Sequence, residues 1–129
     1  MTDKIYSNPK INDYRDLVAW QTGRALVKRV YGATALFPEN ECFGLIRQIR
    51  RAVISVPSNI AEGYGRGSLG DYIRFLQVAR GSLFELETQI IVANDLEYLT
   101  EEQTNSLTED IQQCARILQG LIASLKRKQ

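Results

Sequence analysis

The sequence predicts an all-α protein, one antiparallel four-helix bundle with up-down-up-down topology. Three observations predict it. Apolar residues recur four and three positions apart over long stretches, which places them on one face of a helix. The breakers fall between those stretches: the prolines are Pro9, Pro38 and Pro57, and glycines gather at Gly63, Gly65, Gly67 and Gly70. No period-2 run bounded by turns stands out, and nothing repeats at solenoid length. A chain of 129 residues suits a single domain.

The elements follow in order. Residues 1–12 are expected to be a flexible N-terminal segment. The first helix is expected over 13–37, stopped by Pro38. Leu17, Trp20, Val27, Tyr31 and Thr34 mark its apolar face, widened by Leu26, Val30 and Phe37, and Gly23 and Gly32 permit close approach of a neighbour. The second helix is expected over 40–62, with Leu45, Ile49, Ala52 and Val56 as its seam. Pro57 removes a backbone hydrogen bond inside this pattern, so the helix should kink there and resume. The glycine-rich stretch from Gly63 to Gly70 reads as a loop whose glycines supply positive φ. The third helix, 68–96, has the clearest seam: Tyr72, Leu76, Ala79, Leu83, Leu86, Ile90 and Ala93. A second apolar set, Ile73, Phe84, Ile91 and Val92, lies off it and suggests a packing surface between subunits. The fourth helix, 100–127, opens on a capping-box pattern, Thr100-Glu-Glu-Gln103. Its seam runs through Leu107, Ile111, Cys114, Leu118, Leu121 and Leu125, and Lys126, Arg127 and Lys128 close it in accord with the helix dipole.

Composition excludes several kinds of chemistry. The chain contains no histidine. Ser–His and Cys–His nucleophile pairs, histidine bases and histidine-ligated zinc are therefore absent. Cys42 and Cys114 both fall in apolar-periodic segments and read as reduced core residues, not as a disulfide framework. No stretch is long and apolar enough to cross a membrane, and the first residues lack the apolar core of a signal peptide, so the expected location is the cytoplasm.

The net charge of +1 hides a pattern. Residues 81–110 carry eight acidic groups and no Lys or Arg, whereas residues 111–129 carry four basic groups and no acids. Residues 1–80 are moderately basic. Either these charges pair across helices, or the molecule has a dipolar surface.

Two constellations remain. Gln48, Ser55, Asn59 and Glu62 form a polar line bordering the second helix's seam, and Ser82, Glu85 and Gln89 offer a matching line on the third. Buried polar groups need partners, so the lines are expected to bond to each other as a structural network. The sharper alternative is a Glu62–Glu85 carboxylate pair for metal or acid–base work. A di-metal bundle normally needs four carboxylates with histidines, which this chain lacks. Basic residues form the other set: Arg47, Arg50 and Arg51 on the second helix, Arg66 in the loop, Arg74 and Arg80 on the third helix, and Lys126, Arg127 and Lys128 at the end. Arginine forks suit phosphate, and Tyr64 and Tyr72 beside the loop are candidates for base stacking. The glycine loop is no P-loop, since no Gly-Lys-Ser/Thr follows it and no strand precedes it.

The stretch from Gln48 to Gly63, QIRRAVISVPSNIAEG, resembles the signature of the ribosomal RNA intervening sequence proteins, also called the S23 ribosomal protein family. Asp16-Leu-Val-Ala-Trp20, the segment from Gly81 to Gln89 and that from Val92 to Tyr98 are similar to the same family. The resemblance spans about residues 13–126. It implies a left-handed antiparallel bundle that assembles as a homopentamer. It also implies a link to intervening sequences of large-subunit ribosomal RNA genes. A related branch is the basic accessory variability protein of diversity-generating retroelements, which binds a reverse transcriptase and nucleic acid. Arg50, Arg51, Ser55, Pro57, Asn59, Glu62, Gly63, Ser82, Glu85 and Glu87 match the signature, and the resemblance carries over no catalytic residue. The expectation is a non-enzymatic homo-oligomer, without cofactor or metal, that binds RNA or a ribonucleoprotein. The alternative is a scaffold for a protein partner such as a reverse transcriptase.

Overall fold

A computed structural model describes residues 11–129. Among these residues there are four helices and no strand: α1 Val18–Thr34, α2 Leu45–Tyr64, α3 Leu69–Asp95 and α4 Glu101–Lys126. Gly65–Ser68 joins α2 to α3, and Leu96–Thr100 joins α3 to α4. Four or five residues reach less than about 18 Å even when extended. A helix of 27 residues is about 40 Å long, so consecutive helices must run antiparallel. Each helix packs on its chain neighbours and α1 packs on α4, which closes a square four-helix bundle.

The first two helices are shorter than the sequence pattern suggests. At the start, the Asp13 carboxylate accepts the Arg15 N–H at 2.7 Å, capping a 3-10 turn over Tyr14–Asp16. Leu17 is then extended, and α1 begins only at Val18. Residues 11 and 12 are part of this structure: Ile11 packs against the core, and the Asn12 N–H donates to Asp16 at 2.9 Å. The rest of the expected flexible segment lies outside the described residues. At the other end α1 stops at Thr34 and residues 35–37 continue as turns, with Pro38 keeping Phe37 out of the helical region. Phe37 instead turns inward and packs on Tyr98, ring centroids 5.4 Å apart. The second helix starts at Leu45, not near residue 40. Glu39–Glu41 is a 3-10 turn, and the Glu41 carboxylate caps α2 by accepting the Leu45 N–H at 3.2 Å.

α2 then runs unbroken through Pro57. Close to the proline, α1 comes in at Gly23. A Cβ there would lie 3.1 Å from Val56 Cγ1, so Gly23 is the point of close approach, while Gly32 faces nothing. The expected positive-φ glycines do not occur. Among the described residues the one positive φ belongs to Glu97, at 65°. In the α2–α3 turn it is packing that requires glycine: a Cβ on Gly63 would stand 2.7 Å from the Phe75 Cβ.

The core follows the 4-3 seams. Val30, Ile49, Val53, Val56, Ile60 and the α3 series Leu76, Ala79, Leu83, Leu86, Ile90, Ala93 are fully buried, as are Leu118 and Ile122 of α4. Each large side chain among them contributes roughly 1.5–3 kcal/mol of burial. Several assignments shift by one residue: Leu45 and Leu121 are half-buried beside the buried Ile46 and Ile122. Tyr31 is on the surface, because Val30 and Thr34 take the core of α1, and Ile73 is buried instead of belonging to the outer set. Cys114 is buried, as expected of a core residue, but Cys42 lies in the α1–α2 connection and is exposed.

Candidate nucleic-acid interface

The arginines of α2 fall on its solvent side for a simple reason. Ile46, Ile49, Val53, Val56 and Ile60 occupy the buried stripe, which leaves positions 47, 50, 51, 54 and 58 facing away. There they line an open groove of about 610 Å³, with Arg47, Arg50 and Arg51 beside Tyr31, Phe43 and Ile54. Phe43 is 85% exposed. Glu62, at one end, is the only carboxylate bordering this groove among the described residues.

The three arginines are not equivalent. Arg50 is committed to the fold: its Nε donates to Thr34 Oγ1 at 2.9 Å, its Nη2 to the Tyr31 carbonyl at 3.3 Å, and it stacks on the Tyr31 ring at 4.4 Å. It therefore clamps α2 to the end of α1. Arg47 and Arg51 are exposed, and their side chains bond to no described residue, which leaves both guanidinium forks open.

Arg66 and Arg74 form a separate group at the α2–α3 turn. Gly63 lets the last turn of α2 sit on the first turn of α3, and Arg66 follows three residues later. Both guanidiniums stack on Phe75, at 5.0 and 4.7 Å from its centroid. Asp71 lies between them, 3.8 Å from Arg66 and 3.6 Å from Arg74. Antiparallel topology brings the exposed Lys126, Arg127 and Lys128 to this same end of the bundle. Tyr64 and Tyr72 pack edge-to-face on each other at 5.9 Å instead of presenting open rings. Burial pushes the Tyr72 hydroxyl up to about 12, so it stays protonated. Arg80 stacks on Phe84 at 5.1 Å.

The polar lines meet at one point. Ser55 Oγ donates to the Ala52 carbonyl at 2.9 Å and shares a hydrogen bond with Ser82 Oγ across the helix pair. Asn59 bonds within its own helix, to the Ser55 carbonyl at 2.7 Å, and Gln89 donates to Glu85 at 3.3 Å within α3. Gln48 and Glu62 stand exposed. The Ser55–Ser82 contact also fixes the register. It sets Glu62 level with Phe75, about 15 Å along the axis from Glu85. The two carboxylates therefore do not form a pair, and no group of three or more His, Cys, Asp or Glu is placed to hold a metal among the described residues.

Two features were not anticipated from sequence. The Tyr98 hydroxyl donates to Glu41 at 2.7 Å, tying the α3–α4 connection to the start of α2. That bond, with the Leu45 N–H, holds the Glu41 carboxyl below the usual range and pushes Tyr98 up. Asn-Asp-Leu-Glu-Tyr gives no periodic signal that could have indicated it. The second feature is the Arg66–Phe75–Arg74 stack, whose signal in the sequence is the Arg-Phe dipeptide at the helix start.

Fold and surface together define a small four-helix bundle with arginines gathered on one helix face and one end. The chain belongs to the 23S rRNA-intervening sequence protein family, whose model matches residues 15–120. It is similar to a crystal structure from Bacteroides thetaiotaomicron, described as a protein of unknown function from the S23 ribosomal protein family. The two are 26% identical, with a TM-score of 0.76, covering 82% of this chain and 96% of that one. A comparison with curated proteins finds no match. No helix among the described residues is long and apolar enough to cross a membrane.

Proposed function

We propose that this protein is a non-enzymatic, cytoplasmic, homo-oligomeric bundle that binds RNA or a ribonucleoprotein and uses no cofactor. The carrying observation is the α2 groove, where Arg47 and Arg51 present forks without a partner among the described residues beside exposed Phe43 and Ile54. Guanidinium forks suit phosphate oxygens, and aromatic side chains suit unstacked bases. The family's link to 23S rRNA intervening sequences supports RNA as the partner class.

Self-association rests on a different surface. Phe84 and Ile91 of α3 are 50% and 47% exposed, one heptad apart, with Val92 next to Ile91 also exposed. That is an apolar stripe outside the core, of the kind that subunits bury against each other. Five subunits is the number the family resemblance implies. A ring would repeat each arginine face and multiply a weak contact by avidity.

A second reading, a scaffold for a protein partner, draws on the α1–α2 end of the bundle, which adjoins the groove. Leu36 and Phe43 are more than 80% exposed there, and Leu96 about half. A retardation assay at low salt with structured and single-stranded RNA tests the first reading. The expected result is a shifted complex that dissolves as salt rises. A protein that shifts neither RNA would leave only the scaffold reading.

A further inference from the structure

Arg66 and Arg74 share one aromatic ring, as no other arginine pair does among the described residues. Neither guanidinium donates a hydrogen bond to any described residue, and their carboxylate neighbours all lie at 3.6–3.9 Å, beyond hydrogen-bond length. Yet both are fixed in place, because each stacks on the same Phe75 ring. Two oriented forks with their donors free therefore converge on one small volume, and the group already between them is the Asp71 carboxylate. The fold builds this arrangement deliberately close. Gly63 brings the α2 end against Tyr72 and Phe75, and the basic C-terminal residues add positive potential at the same end.

We propose that Arg66 and Arg74, stacked on Phe75, form a clamp for a phosphate group, with Asp71 as its internal stand-in. This rests on the RNA-binding reading for the source of that phosphate, but the clamp is tested separately from it. Asp71 pre-positions both forks and competes with the ligand's oxyanion, so its carboxylate sets how tightly phosphate binds. A phosphate oxygen reaching the pair replaces loose ion contacts with charge-assisted hydrogen bonds from both guanidiniums.

The test uses the full chain with arginine side-chain Nε–Hε resonances assigned. Two probes are titrated: an oligoribonucleotide lacking terminal phosphates, and inorganic phosphate. The oligonucleotide should shift the Arg66 and Arg74 resonances, and the R66A/R74A double variant should weaken its binding by tenfold or more. Arg116→Ala, exposed on α4 about 15 Å along the axis before its end at Lys126, should change it less than twofold. Asp71→Asn, which keeps the shape but removes the competing charge, should tighten binding severalfold. RNA binding that persists unchanged in R66A/R74A, with still resonances, would overturn the clamp and leave the RNA reading intact. Resonances that move with inorganic phosphate while RNA fails to bind would uphold the clamp and sink the RNA reading. Resonances that move with neither probe overturn the clamp. Binding that is unchanged or weaker in Asp71→Asn overturns the stand-in role.

Discussion

At the scale of single residues, contact geometry decides what each position tolerates. Gly63 is required by space, not by backbone angle, since an added methyl would meet the Phe75 Cβ at 2.7 Å and the Tyr72 carbonyl at 3.2 Å. Gly63→Ala should therefore destabilise the protein by about 1–3 kcal/mol, the usual cost of overpacking, measured by urea unfolding. Gly32→Ala, where nothing lies within 4 Å, should be neutral or stabilising in the same experiment. The Tyr98–Glu41 bond gives a pH signature. Glu41's pKa is depressed in the fold, so its contribution is present above about pH 4.3 and lost as pH falls through the lower folded value. Tyr98's is raised, so its contribution is present below about pH 10 and lost as pH rises through the higher folded value. The stability difference between wild type and Tyr98→Phe should thus be flat from roughly pH 5 to 9 and shrink on both sides. A difference that peaks at either extreme would mean the hydroxyl acts in some other way.

At the scale of elements, caps and termini carry the remaining information. The capping box at Thr100 forms as its sequence announces, with the Gln103 N–H donating to Thr100 Oγ1 at 3.1 Å and Gln103 Oε1 accepting from the Thr100 N–H at 2.9 Å. At the other side of the same connection, Glu97 holds a left-handed conformation while the Tyr98 N–H closes on the Ala93 carbonyl at 2.9 Å. This is the place in a helix C-cap where glycine is cheapest. Glu97→Gly should stabilise the protein by up to about 1 kcal/mol, visible as a rise in Tm of a few degrees. A lower Tm would show that the Glu97 side chain contributes more than its backbone costs. The same connections explain what the sequence revealed and what it hid. The 4-3 seams of α3 and α4 were legible because nothing but burial selects those positions. The ends of α1 and α2 were not, because they depend on side chains folding back locally: Asp13 onto Arg15, Glu41 onto Leu45. The cross-helix meeting of the polar lines was legible as a matching of spacings, but only the register showed that it reduces to Ser55 and Ser82. The arginines were visible in sequence as a set. Their division into a structural Arg50, open Arg47 and Arg51, and stacked Arg66 and Arg74 needs the third dimension.

At the scale of the whole molecule, antiparallel topology sorts the charges. The α1–α2 and α3–α4 connections lie at one end, with Glu39, Glu41, Asp95, Glu97, Glu101 and Glu102 there or in the first turn beyond, and no Lys or Arg among residues 35–46 or 94–103. The opposite end carries Arg15, Arg66, Arg74 and the basic C-terminal residues, against Asp13, Asp16, Glu62 and Asp71, so its basic excess is modest. Of the eight acids in residues 81–110, Asp110 alone forms an ion pair among the described residues, with Arg29. The segments therefore do not neutralise each other contact by contact: acids predominate at the two connections, and the basic excess lies on the α2 face beside them and at the opposite end. Such a distribution would draw a polyanion to the arginine-bearing α2 face and the α2–α3 end, and repel it from the acidic connections. The apolar stripe on α3 has an independent consequence. Light scattering should give a multimer for the wild type and a smaller species for the Phe84→Asp, Ile91→Asp double variant, with helical content retained. A wild-type monomer would leave that stripe without the role assigned to it.

The claim that this bundle engages RNA through its arginines is tested most directly by a salt titration of binding. Fluorescence anisotropy with a labelled single-stranded RNA, repeated from low to physiological ionic strength, yields the slope of log K against log salt. Wild type should show a linear fall, and Arg47→Ala with Arg51→Ala should weaken binding across sequences and reduce the slope by about 1 for each arginine removed. Binding that is absent at low salt, or whose slope is the same in the wild type and the double variant, would contradict the account.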